Sequence, residues 1–274
     1  MGFGNAFARY GLDRGYNVVA TARSIHKLDV LAKRVPDRVL IQKLDVTDHR
    51  DVEQAVAAAI DRFGRIDVLI NNAGYGIVGA VEETPESELR AQMDTNFFGA
   101  VSVTKAALPY LRRQHGGAIV NISSLGGQLS FSGFSAYSAS KFALEGLSEA
   151  LAQEVAPFGI KVMIVEPGQF RTNLAGDGMK YMPILEPYRE VVGATRKFAM
   201  AMHGTQEGDP MKAAQAIDLA LRAPKTPLRL QLGVDAITSV RAHAEQLLED
   251  LASWETVAGD TRIDAVGAHE AQRR

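Results

Sequence analysis

Val68-Leu69-Ile70-Asn71-Asn72-Ala73-Gly74 is a short apolar run closed by two amides and two small residues. A continuous apolar run without in–out alternation marks a strand covered on both faces, the kind that parallel sheets use. Small residues and amides at the carboxyl end let a backbone approach a ligand and hydrogen-bond across strands; the plainer alternative is a tight turn. Ligands of open α/β sheets bind at this edge. Outward from it, similar runs occur at residues 18–21, 39–46, 118–123, 161–166 and 228–232. Amphipathic stretches separate them. Asp48 is placed to cap a helix that ends near Gly64, and Thr84 followed by Pro85 reads as N-cap and N1 of a long helix running towards Leu111. Such alternation predicts an α/β fold: a doubly wound parallel sheet with helices on both faces.

The chain has 274 residues, 46% apolar and 23% charged, with a formal net charge of −2, which suits one large α/β domain. That balance argues against a nucleic-acid or polybasic membrane partner, since basic residues pair only in scattered twos such as Arg112-Arg113 and Arg273-Arg274. Zero cysteines exclude a disulfide scaffold, Cys-ligated zinc and thiol catalysis, and fit a reducing cytoplasmic setting. No apolar run approaches the roughly 18–20 residues of a membrane span, and Met1-Gly2-Phe3-Gly4 carries no basic-then-apolar signal pattern. Six scattered histidines show no ligand spacing, so no metal is expected. Neither repeat nor linker is visible. One domain is expected over residues 1–255, with residues 256–274, polar and Gly/Ala-rich, as a frayed tail. Residues 174–209 stand apart, carrying four of the eight methionines.

Two places carry chemistry. Gly2-Phe3-Gly4 opens a helical stretch, and Arg23 follows the next strand, with no acid until Asp29. In nucleotide-binding βαβ units an acid there accepts from the ribose hydroxyl of NAD, whereas an Arg accommodates the 2′-phosphate of NADP. A guanidinium suits a phosphate through bidentate bonds, and the bland alternative is a solvated Arg at a strand end. Tyr137 and Lys141 lie four residues apart in a stretch of helical spacing, hence on one face. An ammonium about 4 Å from the phenol, at an effective dielectric near 20, favours the phenolate by about 4 kcal/mol. That would lower its pKa from about 10 by roughly three, towards acid–base use at neutral pH.

Ser124 just after the 118–123 strand, Asn96-Phe97-Phe98-Gly99 inside a helix where Asn is unhelpful, and Pro167-Gly168 closing another strand complete a set. With Asn71-Asn72-Ala73-Gly74 and Tyr137-x-x-x-Lys141, their order and spacing resemble the single-domain short-chain dehydrogenases/reductases over about residues 2–232. The stretch from Ser124 through Phe142-Ala143-Leu144-Glu145-Gly146 looks most like the hydroxysteroid and retinol dehydrogenase branch.

The resemblance implies a Rossmann-type fold and an oxidoreductase that interconverts a carbonyl and an alcohol. It makes Tyr137 the acid/base, and Lys141 the residue that lowers its pKa and holds the nicotinamide ribose. Ser124 would bind the reacting oxygen and Asn96 would help to hold a relay water. Gly2, Gly4, Arg23, Asp45, Asn72, Ala73, Gly74, Pro167, Gly168, Phe170 and Thr172 would line the cofactor, with Asp45 at the adenine and Phe170 and Thr172 at the carboxamide. NADP(H) is preferred on Arg23, with NAD(H) as the other candidate. Residues 174–209 would cover an apolar ketone, aldehyde or alcohol, with Met179, Tyr181, Met182, Tyr188, Phe198, Met200 and Met202 as lining candidates; each alone reads equally as helix core. A homodimer or homotetramer through helices near residues 100–111 and 142–155 is also implied.

The N-terminus departs from the family, in which Thr-Gly-x-x-x-Gly-x-Gly follows a first strand. Only Gly2 and Gly4 of that turn are present, and the strand is missing. Four lost core side chains cost about 6–12 kcal/mol, comparable with a typical total stability of about 5–15 kcal/mol. The expectation is therefore an authentic start roughly a dozen residues upstream, from the usual length of a strand and its turn. The rival from another class is a catalytically silent nucleotide-binding or regulatory protein of the same fold.

Overall fold

The computed structural model describes residues 2–261. Its centre is a four-stranded parallel sheet in the order β3 (Val68–Asn71), β5 (Gly117–Ile122), β6 (Ile160–Pro167) and β8 (Arg229–Leu232). Val68 lies opposite Ala118, Gly117 opposite Ile160 and Ile164 opposite Arg229. A separate parallel pair joins β1 (Val18–Ala22) to β2 (Val39–Lys43), and a third joins β4 (Gly76–Val78) to β7 (Met179–Tyr181). The helices are α1 (Phe3–Asp13), α2 (Asp29–Arg34), α3 (His49–Phe63), α4 (Glu86–Met93), α5 (Gly99–Arg113), α6 (Ser135–Val155), α7 (Gly193–Ala201), α8 (Pro210–Arg222) and α9 (Val234–Gly259). The expected Rossmann-type α/β architecture, with helices on both sheet faces, is the one observed.

The sheet is split where the absent first strand was expected: among the described residues β1 pairs only with β2, and β3 only with β5. Edge position explains why β3, expected to be covered on both faces, leaves Val68 43% exposed and Leu69 and Ile70 half-buried. Helix α1 joins the two pieces. Phe3 and Phe7 pack on the cluster of β5, β6, β8 and α8 that holds Val120, Met163, Val165 and Ile217. One turn on, Ala8 and Leu12 enter the cluster around Ala20, Leu31 and Val39. The Tyr10 and Tyr16 hydroxyls both donate to Asp218 of α8, at 2.9 and 3.1 Å. On the far side, Ala107, Leu111, Ile119, Leu151 and Val162 form the core between α5, α6 and the sheet.

Punctuation explains most boundaries. Asp48 caps α3 as expected, accepting from the amides of Arg50 and Asp51, and Gly64 ends it at φ +76°, a left-handed conformation that suits glycine. Strand β2 stops at Lys43 rather than residue 46. There Asp45 Oδ1 accepts from the Thr47 amide and hydroxyl while the Asp45 amide donates to Asp51, and this turns the chain into α3. Thr84 does not cap α4: its hydroxyl donates to the Ala80 carbonyl, Pro85 is extended (ψ 145°) and the helix opens at Glu86. The long helix expected towards Leu111 is interrupted by a π-turn over Asp94–Phe98 and continues to Arg113. Strands β4 and β7, three residues each, were not anticipated, being too short to carry a periodic signal. Helix α9 runs through Gly259, so residues 256–259 of the expected tail are helical; residues 262–274 lie outside the described residues.

Candidate active site

Strand β5 ends beneath the start of α6, and this junction assembles the polar centre. Ser124 directly follows β5, its hydroxyl accepting from the Gly126 amide at 3.0 Å and lying beside the Tyr137 ring across Gly126. Tyr137 and Lys141 sit on the first two turns of α6, both buried. Lys141 Nζ donates to the Ile122 carbonyl at 2.8 Å and lies 5.8 Å from the centre of the Tyr137 ring. Asn96 occupies the π-turn, an irregularity that often marks functional sites. Its side chain accepts from the Tyr75 amide (3.1 Å) and donates to the Tyr75 carbonyl (2.9 Å) and to Ser140 Oγ (3.0 Å). Ser140 Oγ in turn donates to the Tyr137 carbonyl. Asn96 thus ties the loop after β3 to α6. Gly74 fits between them because a Cβ there would lie 3.1 Å from Asn96 Oδ1 and 3.6 Å from Lys141 Nζ.

The electrostatics differ from the simple Tyr–Lys expectation. Burial pushes the Tyr137 phenol above its ordinary value, and only the neighbouring Ser124 hydroxyl opposes that. Burial lowers Lys141 to about 8, against the attraction of Glu145. In this geometry the ammonium is spent on the Ile122 carbonyl and on the ring, and its expected pull on the phenol is not seen. At neutral pH the phenol is therefore a protonated donor.

Sequence reasoning found Asn71 and missed its partners. Asn71 Nδ2 donates to Asn121 Oδ1 (2.8 Å) and to Thr104 Oγ1 (3.0 Å), and Asn121 Nδ2 donates to Ser148 Oγ (2.8 Å). This buried amide ladder fixes β3, β5 and α6 relative to one another. Also missed was the carboxylate group behind the site. Ser123 Oγ donates to Glu145 at 2.7 Å, and Arg229 reaches Glu145 (3.1 Å), Glu149 (2.6 Å) and Glu166 (3.2 Å). Gln231 donates to Glu166 at 2.7 Å, and burial together with the Glu145 charge pushes Glu166 up to about 7. These residues are distant in sequence and share no motif, so only their convergence marks them.

The expected cofactor residues lie along the carboxyl ends of the strands. Gly2 caps α1 with no side-chain acceptor and no acid in the first turn, so the amides at that end are available to an anion. A Cβ on Gly4 would come within 3.1 Å of Asn72 Nδ2, which joins the helix start to the exposed Asn72-Ala73-Gly74 turn. Arg23, exposed at the end of β1, is close enough to help lower the pKa of Asp45, whose larger cause is the Thr47 hydrogen bonds. Pro167 closes β6 and Gly168 packs on Asp235 of α9, whose carboxylate accepts from the Gln169 amide at 2.7 Å. Phe170 packs its ring 5.2 Å from that of Phe3, and Thr172 Oγ1 accepts from the Leu174 amide at 3.3 Å. Glycine-flanked amides, a guanidinium and an exposed small-residue turn fit the pyrophosphate and ribose of a dinucleotide.

Residues 174–209 lie over this edge. The β4–β7 pairing brings Met179 beside Tyr137: a Cβ on Gly76 would lie 2.6 Å from Met179 Sδ and 3.7 Å from Tyr137 Cδ2. Met182 is instead core with Ile77 and Ala136, Tyr188 donates to Glu82 at 2.8 Å, and Phe198 and Met200 are exposed. Glu83, buried, anchors the segment: it accepts from the amides of Ala80 (2.8 Å) and Leu185 (2.9 Å) and from Arg196 (2.6 Å). Arg196 also donates to the Met182 carbonyl at 2.7 Å.

A parallel α/β sheet with a Ser–Tyr–Lys–Asn centre at its carboxyl edge defines the nicotinamide-dependent oxidoreductases of single-domain type. The sequence model of that family, short chain dehydrogenase, matches residues 1–180, and the chain belongs to it. It is 42% identical over 254 residues to oxidoreductase BOA17 of Botryotinia fuckeliana, covering 92% of this chain and 93% of that one. It is 48% identical over 178 residues to 3-ketodihydrosphingosine reductase of Bacteroides thetaiotaomicron, covering 63% and 61%. A short-chain dehydrogenase structure from Streptomyces avermitilis is 50% identical, with a TM-score of 0.89 over 95% of this chain and 96% of that one. An alcohol dehydrogenase from Thermococcus sibiricus, complexed with 5-hydroxy-NADP, is 25% identical, with a TM-score of 0.70 over 84% and 91%. Among the described residues no helix is long and apolar enough to cross a membrane.

Proposed function

We propose that this chain is an NADP(H)-dependent oxidoreductase that reduces an apolar ketone or aldehyde, or oxidises the corresponding alcohol. The observation that carries the reading is the convergence of Asn96 from the π-turn, Ser124 from the end of β5, and Tyr137 and Lys141 from α6 on one centre. A bound nicotinamide supplies or accepts the hydride at the substrate carbon. In reduction the Tyr137 phenol gives its proton to the carbonyl oxygen, which Ser124 holds, and the product is the alcohol. Tyr137, with its raised pKa, is in the protonated state this step needs. In this reading Lys141 returns a proton to Tyr137 and positions the ribose while Asn96 holds the loop after β3; the Lys141–Ile122 and Asn96–Tyr75 bonds that fix these side chains support it.

Arg23 supports NADP over NAD, and so does the 5-hydroxy-NADP complex of the Thermococcus relative. Met179 beside Tyr137, and the likeness to a reductase of a long-chain ketone, support an apolar substrate. Assembly into a homodimer or homotetramer through α5 and α6 is part of the same reading, and the exposed Phe98, just before α5, and Phe142, on α6, support it. The test is a titration of cofactor fluorescence with NADPH and NADH side by side, followed by a carbonyl screen on wild type and Tyr137→Phe. Tighter NADPH binding, retained by the variant while turnover is lost, is expected. Binding without turnover on any carbonyl in the wild type would favour the silent nucleotide-binding alternative.

A further inference from the structure

Helix α9 is 26 residues long, yet Ala236 is its one buried residue, and its main contacts with the body are to β8 and the turn after Ser124. From Ala244 onward every described position is exposed. The exposed stretch is nonetheless patterned. Val240, Ala244, Leu247, Leu251, Trp254 and Ala258 follow one another at spacings of four, three, four, three and four. That is the heptad seam of a two-helix coiled coil. Leu247 is 54% exposed, Leu251 64% and Trp254, the single tryptophan of the chain, 65%. A seam of about 27 Å, at 1.5 Å per residue, has no partner among the described residues to bury it.

We propose that α9 is a self-association helix that pairs antiparallel with α9 of a second copy of this chain. The argument is complementarity of size and charge. Aligned about a two-fold axis near residue 249, Trp254 falls opposite the partner's Ala244, Leu247 opposite the partner's Leu251, and Val240 opposite the partner's Ala258. The largest side chain meets one of the smallest, and the two leucine layers fill the centre. In the same register the flanking Arg241 meets the partner's Glu255, twice by symmetry, and Leu248 meets its own copy. A parallel pairing would instead stack Trp254 on Trp254 and lose the Arg241–Glu255 contact, because e positions then face the partner's g positions. A membrane surface fits poorly. The helix carries Asp235, Glu245, Glu249, Asp250 and Glu255 against the single Arg241, whereas interfacial helices are rich in Lys and Arg. This surface is distinct from α5 and α6, and the inference does not depend on the catalytic reading.

The absence of cysteine makes the test specific, because any introduced thiol is unique. Full-length Leu247→Cys and Leu251→Cys are prepared separately, then oxidised mildly alone and as a mixture. Disulfide-linked dimer in the mixture, with little in either protein alone, is the expected result. Dimer from each protein alone would mean parallel pairing or random collision and would overturn the proposal, as would no dimer in any sample. Trp254 gives an independent readout in the wild type, its emission shifting to the red on dilution as the seam opens. Arg241→Glu should move that transition to higher protein concentration, and Arg241→Glu combined with Glu255→Arg should restore it. An emission maximum that stays red at every concentration would also refute the pairing.

Discussion

Glu83→Gln probes how the segment of residues 174–209 is held over the site. Wild-type Glu83 gathers the amides of Ala80 and Leu185 and the guanidinium of Arg196, all within 2.9 Å. The variant keeps shape and volume but removes the charge, which leaves a buried Arg196 unpaired. Removing one partner of a buried ion pair costs about 3–5 kcal/mol. At about 2–4 °C per kcal/mol for a protein of this size, the melting temperature should fall by about 10 °C. Burial raises the Glu83 pKa, but the Ala80, Leu185 and Arg196 contacts together outweigh it and hold the carboxyl below its ordinary value. A depressed carboxylate pKa adds stability that is complete above the unfolded-state value and lost as pH falls through the folded-state one. The gap between wild type and variant, measured by urea unfolding from pH 7 downward, should therefore close on the acid side. Because Arg196 also holds the Met182 carbonyl, three residues beyond Met179, the variant should raise KM for substrate more than it lowers kcat. Combining it with Arg196→Met should recover much of the stability. A melting temperature within a degree or two of wild type would show that the pair is solvated and the reasoning wrong.

Lys141→Met should abolish turnover yet stabilise the fold by about 2–3 kcal/mol at pH 7. The lysine is lowered to about 8 in the folded chain, so its charged form is penalised below that pH and the gain should shrink as pH rises through 8; urea unfolding at pH 7 and 9.5 checks this. Arg23→Ala should weaken NADPH binding about 10- to 100-fold, the worth of a charge-assisted bond, while NADH binding barely changes; fluorescence titration of both cofactors measures it. Gly168→Ala should destabilise by about 1–3 kcal/mol, since its Cβ would sit 2.3 Å from the Asp235 carboxylate that also holds the Gln169 amide, and calorimetry reads the loss.

Much of the frame was legible because it rests on local chemistry. Apolar runs at residues 18–21, 68–71 and 118–123 became strands, and Asp48 and Gly64 bounded α3 as their side chains require. Spacing alone put Tyr137 and Lys141 on one face of α6. Thr84 misled because its hydroxyl had a closer acceptor in the Ala80 carbonyl, a choice made by the fold of the preceding turn. The three-residue strands β4 and β7 carry too few positions for a period to register, although their pairing brings Met179 to Tyr137.

What the sequence determined by itself, then, was the set of elements and the candidate side chains of the site, since helix caps, strand runs and motif spacings act within a few residues of one another. The tertiary structure decided the rest. It spent Lys141 on the Ile122 carbonyl rather than on lowering the phenol, locked Asn96 to Tyr75 through a π-turn, and gathered Glu145, Glu166 and Arg229 behind the site from three distant segments. Burial, desolvation and the availability of a nearer hydrogen-bond partner are properties of the packed chain. They set the charge state of Tyr137 and Lys141, and no local pattern encodes them.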